Sequence, residues 1–297
     1  MTGVKSFFKK NAAGYIFMLP FVILFCAFTL VAVVIGFAYS ITNYNMIESP
    51  IIVWFDNFKN LIMNDDEFII ALKNTLVFAL ISGPAGFILS FVMAWIINNV
   101  KLRNVYSLCF YAPSITSGVA ITVIWLYFFA PDRYGLINNL LINLGIINSP
   151  VLWNMNPETI MPIIILITLW MSMGAGFLTF LAGLQGLPTE TFEAGKIDGV
   201  SNSFQELFYL TLPQMKPQLL FGSINAIVGA FSVFDIAVTF AGMPSPNYAA
   251  HTIVAHLYDY AFIRFEMGYA SAVAVILFLI TFFLGRLCIR LFSSKDE

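Results

Sequence analysis

Long apolar runs alternate with short clusters of charged residues along almost the whole chain. Between Lys10 and Glu48, for example, there is no Asp, Glu, Lys or Arg, and of the later runs only the fifth is interrupted, by Asp235. A helix needs about 20 residues to cross a hydrocarbon core of about 30 Å, and each run is long enough. The pattern therefore predicts six transmembrane helices, at about 14–39, 74–98, 105–129, 160–184, 218–242 and 267–288.

The composition indicates an all-α membrane protein rather than a water-soluble domain. Of the 297 residues, 60% are apolar and 10% are charged, whereas soluble domains average about 45–50% and about 25%. Such an apolar excess has to face lipid, where helices satisfy their own backbone groups. The formal charge of −2 leaves no basic surplus for nucleic acid. We therefore expect a single transmembrane domain over 1–297, surrounded by the lipid bilayer and without a nucleic-acid partner.

The placement of Lys and Arg predicts the orientation. With the N-terminus in the cytoplasm, ten of the 14 basic residues fall on inner segments and the other four on outer segments. Because basic residues accumulate on the cytoplasmic side, both termini are predicted to be cytoplasmic. The first apolar run is longer than the 7–15 residues typical of a signal peptide, so it is expected to remain as a helix.

The chain carries no motif for catalysis or nucleotide binding. G-x-x-x-x-G-K-[ST], G-x-S-x-G and H-E-x-x-H are all absent from the sequence, so an enzyme is not expected. Cys26, Cys109 and Cys288 are interpreted as small apolar fillers of the spans. His251 and His256 are interpreted as polar loop residues rather than metal ligands. Transport remains, driven either by an ion gradient or by a separate ATPase.

Asp235 is the one acidic residue inside a predicted span. A carboxylate within the membrane is by default a functional residue, and ion-coupled carriers use such groups. The other interpretation is a polar residue at a helix end that reaches a water-filled mouth. The first interpretation supports, as an alternative function, a stand-alone ion-coupled secondary transporter of a small polar solute.

The segment 186–216, between the fourth and fifth spans, is predicted to form a helical hairpin at the cytoplasmic surface. Pro188 stops the incoming helix, and Thr189 or Thr191 can cap a short new one. Gly199 then supplies a turn.

A second short helix follows this turn, and Pro213 is expected to begin the segment that leads into the fifth span. The first helix also carries acids, which suits docking into a groove on a cytosolic partner. The acids are Glu190 and Glu193, and the residues expected on one side of the second helix are Phe204, Leu207 and Phe208.

Several short stretches occur in a distinctive order. They are EAGKIDG at 193–199 followed by Leu-Pro at 212–213, DRYGLIN at 132–138, AGLQ at 182–185, FD at 234–235 and MGYASA at 267–272. The first resembles the EAA loop of bacterial ABC importer permeases, and the others resemble the carbohydrate-uptake branch of that family, the maltose-type or glycerol-phosphate-type permeases. With the six-span pattern, the resemblance covers about residues 14–290.

The chain departs from the family pattern at three places. Gly195 stands where the family usually has Ala, which is expected to loosen that helix by up to ~1 kcal/mol. Ten residues rather than nine separate Gly199 from Leu210, so the second short helix is expected to be shifted or bulged. The T-G-G-G-P string after the fifth span is reduced to Ala-Gly-Met-Pro at 241–244.

The resemblance implies a type I ABC importer permease fold in the bacterial plasma membrane. The chain would form half of the pore, together with a second homologous permease subunit, two cytosolic ATPase subunits and an extracytoplasmic sugar-binding protein. No cofactor is expected on this chain, since ATP and Mg would bind to the ATPase. Glu193 would pair with a basic residue of the ATPase, and Asp198 would hold the turn by hydrogen bonds to local backbone. The implied coupling residues are Glu193, Ala194, Gly195, Asp198, Gly199 and Pro213.

The resemblance also places the substrate path along the fourth and fifth spans. Residues at i, i+3, i+4 and i+7 share one helix face, and small side chains there would leave room for a sugar, on which Trp125, Tyr127 or Trp170 could stack. Ordinary packing of small residues between helices is the other interpretation. A neutral sugar is expected because the spans offer no cation short of Arg286. The path residues are Thr168, Met171, Ser172, Ala175, Ala226, Gly229, Ala230, Val233 and Asp235.

Overall fold

The computed structural model describes residues 12–292, which are mostly α-helical. Within this range, five helical stretches are long and apolar enough to cross a membrane, and a sixth is added if one bent helix pair counts as a single span. The prediction of an all-α protein with about six spans is therefore confirmed. The cytoplasmic location of both termini stays a prediction.

The first span consists of α1 (Ala12–Phe25), a π-helical turn (Cys26–Leu30) and α2 (Val31–Ser40). Its side chains are almost all apolar and exposed, as expected for a helix that faces lipid. A short antiparallel pair follows, β1 (Thr42–Asn43) with β2 (Ile51–Ile52). The apolar pattern does not predict this pair, because each strand has only two residues.

Helix α3 (Asp56–Met63) lies beyond the strands. Its buried Asn57 donates hydrogen bonds to the carbonyl oxygens of Ser40 (2.9 Å) and Thr42 (2.8 Å). These bonds fix α3 against the end of the first span.

Helix α4 (Asp66–Asn98) is the second span and begins eight residues before the predicted start at 74. Asp65 caps it, because the carboxylate accepts a hydrogen bond from the backbone N–H of Phe68 at 2.8 Å. The prediction began too late because Lys73 was taken as the boundary of the apolar run. The helix in fact continues through this charged residue.

The third span, predicted as one helix over 105–129, is broken. Helices α5 (Arg103–Ile115) and α6 (Gly118–Phe128) meet at an angle of 96°. Pro113 lies just before the break and removes one backbone donor, and Thr116 is extended with φ −80° and ψ 143°. A short helix α7 (Leu136–Asn143) follows.

The fourth and fifth spans are interrupted as well. Helices α8 (Pro157–Ser172) and α9 (Ala175–Gln185) replace the single helix predicted at 160–184. The hairpin between these spans contains α10 (Thr189–Ile197), α11 (Ser203–Glu206), a π-helical turn (Leu207–Thr211) and α12 (Leu212–Gln214). The fifth span consists of α13 (Lys216–Phe231) and α14 (Asp235–Ala241), where one helix was predicted at 218–242.

The last elements are a 3₁₀ turn (Pro246–Tyr248), α15 (Ile253–Tyr258), a π-helical turn (Asp259–Ile263) and α16 (Met267–Phe292). Helix α16 confirms the sixth predicted span. The described chain divides into two compact units, one made of residues 12–64 and 257–276 and the other of residues 65–256 and 277–292. The single domain predicted over 1–297 includes residues outside the described range and stays a prediction.

In the first unit, the glycine of the MGYASA stretch lies in a close backbone contact. Gly268 donates its N–H to the carbonyl oxygen of Tyr44 at 3.0 Å. A Cβ at Gly268 would lie 2.0 Å from the carbonyl oxygen of Thr42. Only glycine fits between these two pieces of backbone.

The second unit contains two apolar clusters. One joins α4, α8 and the fifth span through Phe78, Ile164 and Phe240. The other joins α4, α9 and the start of α13 through buried aromatic and aliphatic side chains, among them Phe91, Phe177, Phe180, Met215 and Leu219. Between membrane helices, such clusters stabilise the fold through van der Waals packing rather than through removal of apolar surface from water.

The DRYGLIN stretch is held by Asn138, which is fully buried. Its amide nitrogen donates to the carbonyl oxygens of Ala130 (3.1 Å), Asp132 (3.1 Å) and Val151 (3.0 Å). Its amide oxygen accepts from the N–H of Val151 (3.1 Å) and from the indole N–H of Trp153 (2.9 Å). One side chain therefore closes the connection between the third and fourth spans.

Asn138→Ala is expected to destabilise the protein by several kcal/mol, because each buried polar partner left unsatisfied costs about 1–3 kcal/mol. Thermal unfolding of the purified protein in detergent would measure the loss. Asn139→Ala is the matched control, because the neighbouring Asn139 is exposed and should leave the unfolding midpoint unchanged. Equal midpoints for both variants would contradict this role of Asn138.

Candidate functional site

The breaks in the third and fourth spans meet. A Cβ on Gly174, between α8 and α9, would lie 2.0 Å from the Cβ of Ser114 near the end of α5. Glycine at 174 therefore allows the two broken helices to approach closely. Irregular backbone at membrane depth is tolerated where it is buried in protein or lines a cavity.

A cavity of about 350 Å³ opens beside these breaks, within the second unit. Ligand pockets typically occupy about 300–1,000 Å³, so the volume suits a small solute. Six of the nine predicted path residues line it, namely Thr168, Met171, Ser172, Ala226, Gly229 and Ala230.

Of the other three predicted path residues, Val233 and Asp235 do not line the cavity. Ala175 begins a new helix, so the predicted stripe from Thr168 is interrupted, and the Ala175 side chain lies outside the described set. Val233 lies beyond the end of α13, is buried in the apolar core, and its carbonyl oxygen accepts a hydrogen bond from Thr252 at 2.9 Å. The predictions for Ala175 and Val233 both assumed that each span is one continuous helix.

Asp235 begins α14 and is exposed. The interpretation as a buried carboxylate is therefore wrong for this chain, in which the residue is an exposed polar group at a helix end. A carboxylate at this position interacts favourably with the positive end of the helix dipole.

The second span supplies cavity residues that the sequence analysis missed. Ser82, Gly86 and Ser90 follow one another at intervals of four along α4, and all three line the cavity. This run of small residues is visible in the sequence, but it lies outside the fourth and fifth spans, on which the family resemblance places the path. Phe87, Ser114, Phe180 and Asn225 also contribute.

The small residues also serve helix packing, the other interpretation of these stripes. A Cβ at Gly86 would lie 3.1 Å from the Cβ of Ser172, and one at Gly83 would lie 3.7 Å from that of Ala230. Close approach of helices through small residues is typical of membrane proteins. The two interpretations are compatible, because the same helices pack together and leave the cavity between them.

The predicted stacking aromatics are not in the cavity wall. Trp125 and Trp170 contact each other with ring centroids 5.6 Å apart, and Tyr127 is exposed. The aromatic rings of the wall are instead Phe87 and Phe180, whose centroids are 5.3 Å apart. The break after α5 turns α6 away from the direction that a continuous third span would have followed.

The hairpin over 186–216 has the predicted helix–turn–helix order. Pro188 itself occupies the N-cap of α10, without a capping side chain, so the predicted cap by Thr189 or Thr191 is wrong. Gly199 makes the turn with φ +97°, a value that favours glycine. Asn202 caps α11 by accepting a hydrogen bond from the N–H of Gln205 at 2.8 Å.

The extra residue of the hairpin is accommodated by the π-helical turn Leu207–Thr211, which confirms the expected bulge. The turn brings Leu210 against the buried Gly195, where a Cβ would lie 2.6 Å from Leu210 Cδ1. The prediction that Gly195 loosens α10 did not take this contact into account.

The outer surface of α10 carries Glu193 and Ala194, both exposed, and Glu190 is exposed as well. The Asp198 side chain is also exposed. Backbone hydrogen bonds hold the turn, from Asp198 N–H to Ala194 O (2.9 Å) and from Val200 N–H to Gly195 O (2.9 Å). The expectation that the Asp198 carboxylate holds the turn is therefore wrong.

The second half of the hairpin is fixed to the ends of the spans. Leu207 and Leu212 pack against the cluster that contains Phe180 and Met215. Of the three residues predicted on one side of the second helix, Leu207 packs on this cluster, whereas Phe204 and Phe208 are exposed. Pro213 lies inside α12, and the fifth span begins only at Lys216.

His251 lies in the loop before α15, as predicted, whereas His256 lies within this helix. Both are buried, and His251 Nε2 lies 3.2 Å from His256 Nδ1. His256 Nε2 lies 3.2 Å from Asp65 Oδ2. The spacing of five residues was judged for a single helix, but His251 precedes α15 and packs back onto it.

Comparisons with known proteins show similar sequences over most of the chain. The family model described as binding-protein-dependent transport system inner membrane component matches residues 86–295. The probable ABC transporter permease protein YesP of Bacillus subtilis is 34% identical over 98% of this chain and 93% of its own length. The arabinooligosaccharides transport system permease protein AraP of the same organism is 31% identical over 97% of this chain and 91% of its own length.

A solved structure has a similar fold. It is the crystal structure of a bacterial ABC transporter involved in the import of the acidic polysaccharide alginate, in which one chain matches with a TM-score of 0.82. The match covers 99% of this chain and 99% of that chain at 22% sequence identity.

Proposed function

The chain belongs to the family of binding-protein-dependent transport system inner membrane components, and we propose that it is the permease subunit of an ATP-driven importer for neutral sugars. Family membership confirms the resemblance, the type I ABC importer permease fold and the inner-membrane location. It also confirms that the chain is a transport component rather than an enzyme.

The observation that carries the proposal is a direct packed connection between the hairpin and the cavity. Phe180 lines the cavity and also belongs to the apolar cluster on which Leu207 and Leu212 of the hairpin pack. A tilt of the hairpin is therefore transmitted to the cavity wall through close-packed side chains rather than through a flexible loop. An ATPase subunit bound to the exposed face of α10 would change the cavity by this route.

The chemistry of the cavity supports an uncharged, hydroxyl-rich cargo. Its described wall contains no charged side chain but carries hydroxyl groups from Ser82, Ser114 and Thr168, and the amide of Asn225. The ring of Phe87, which is partly exposed, suits the apolar face of a sugar.

Two relatives point to the same class of cargo. AraP is named for the transport of arabinooligosaccharides, and the lactose transport system permease protein LacF of Rhizobium radiobacter is 29% identical over 100% of this chain. We extend this class to the present chain together with the expected partners, which are a second homologous permease subunit, two ATPase subunits and an extracytoplasmic sugar-binding protein. ATP and Mg belong to the ATPase in this proposal.

Proteoliposomes test the proposal against an ion-coupled carrier. The complete complex, reconstituted with its binding protein, is expected to take up neutral oligosaccharides only when ATP is present on the ATPase side. An oligosaccharide of uronic acids is the matched anionic cargo and should be taken up poorly. Gradient-driven uptake by this chain alone would overturn the proposal and favour the stand-alone carrier that Asp235 suggested in the sequence.

A further inference from the structure

We propose that Asp65, Glu67 and His256 form a Zn²⁺ site at the start of α4, independent of the sugar path. Ligand atoms from these three side chains all lie within 4.8 Å of one another. None of the three lines the transport cavity. The residues come from two distant parts of the chain, the N-terminal end of α4 and helix α15.

The distances suit tetrahedral coordination. His256 Nε2 and Asp65 Oδ2 are 3.2 Å apart. In a tetrahedral zinc site with bonds of about 2.0–2.2 Å, two ligand atoms lie about 3.3–3.6 Å apart. Small side-chain rotations therefore place the three ligand atoms around one ion, and a water molecule would complete the set.

A second layer of contacts orients each ligand. His251 Nε2 lies 3.2 Å from His256 Nδ1, so it can accept the Nδ1 proton and leave the Nε2 lone pair for the metal. The hydroxyl of Tyr248 donates to the Glu67 carboxylate. Asp65 Oδ1 accepts the N–H of Phe68, while Oδ2 faces His256. Metal-binding side chains are typically held in this way.

The loop that carries these outer contacts is itself anchored to α4. Asn74 donates hydrogen bonds to the carbonyl oxygens of Tyr248 (2.7 Å) and His251 (3.0 Å). Thr75 accepts the N–H of Ile253 at 2.9 Å through its hydroxyl. The folded chain therefore brings the three ligands together, and an ion bound to them would hold α15 against the start of α4.

The ligand set and its burial favour Zn²⁺ over Mg²⁺ or Ca²⁺. An imidazole nitrogen suits zinc, whereas Mg²⁺ and Ca²⁺ prefer six or more oxygen ligands. His256 is fully buried and the Asp65 side chain is 9% exposed, so few water molecules can complete an octahedral shell. Glu67 is partly exposed and leaves an entry path.

Zinc titration of the purified full complex tests the site. Competition with a fluorescent zinc chelator should show one high-affinity site per copy of this chain, with no competition from Mg²⁺ or Ca²⁺. His256→Gln, Asp65→Asn and Glu67→Gln should each weaken zinc binding at least about tenfold, the scale on which even outer-shell changes act. Asn at 65 can still cap α4, so this variant preserves the helix.

Asp66→Asn is the matched control, since the exposed Asp66 lies between two ligands but outside the cluster. It should bind zinc like the unmodified chain. Zinc should also raise the thermal unfolding midpoint of the unmodified complex and of the Asp66 variant, and not that of the three ligand variants. Absence of saturable zinc binding, or equal affinity in all four variants, would overturn the proposal and leave a metal-free hydrogen-bonded cluster.

Discussion

Glu193→Lys is expected to abolish ATP-driven uptake while the chain still reaches the membrane in normal amounts. Glu193 is exposed on α10, so its replacement leaves the packing of the hairpin intact. Its proposed role is to pair with a basic residue of the ATPase, and breaking such an interface pair costs about 2–5 kcal/mol. Uptake of labelled sugar into cells or proteoliposomes, normalised to the amount of protein in the membrane, measures the effect.

Two further variants test whether the effect depends on the charge of residue 193 and on its position in the hairpin. Glu193→Gln removes the charge without reversing it, so it should retain more activity than the lysine variant. Glu48→Lys makes the same charge reversal at an exposed loop residue outside the hairpin and should leave uptake unchanged. Normal uptake by Glu193→Lys would remove Glu193 from the coupling interface.

Gly229→Trp is expected to block uptake without unfolding the chain. Gly229 lines the cavity, yet a Cβ at this position would meet no atom within 4 Å. The first atom of a larger side chain therefore meets no obstacle, and the rest of the tryptophan is expected to occupy a large part of the space of about 350 Å³. The expected result is a loss of sugar uptake by at least about tenfold, with an unfolding midpoint close to that of the unmodified protein.

Gly36→Trp is the matched control for this substitution. Gly36 lies on the exposed first span, and a Cβ there likewise meets nothing within 4 Å. The control variant should transport at the normal rate. If Gly229→Trp transports as well as Gly36→Trp, the cavity is not on the sugar path.

The span positions could be predicted because charged residues rarely enter the hydrocarbon core, so the gaps between them mark the helices. The breaks could not be predicted from apolar runs, because they depend on contacts between distant parts of the chain. Gly174 illustrates this, since its role becomes clear only when Ser114 is found against it. The start of the second helix was predicted too late for a different reason. A helix can begin outside the membrane, and this one begins at Asp66, before Lys73.

The candidate site was predictable where small residues repeat at helical spacing and not where the helix was wrongly assumed to continue. Thr168 and Ser172 were predicted correctly in this way. The prediction for Val233 was wrong, because this residue lies beyond the end of α13. The hairpin was predictable because Pro188, Gly199 and a motif mark it. The buried cluster around His256 was missed, because its members are close in space and far apart in sequence.

Site-directed cross-linking tests most directly whether the hairpin couples this chain to an ATPase. In a background in which Cys26, Cys109 and Cys288 are replaced, Ala194→Cys places a single thiol on the exposed face of α10. The complex is expected to form a covalent product between this residue and the ATPase subunit, and nucleotide should change its yield. A thiol that reacts with an impermeant reagent from outside intact cells, or that forms no product with the ATPase, would contradict the account.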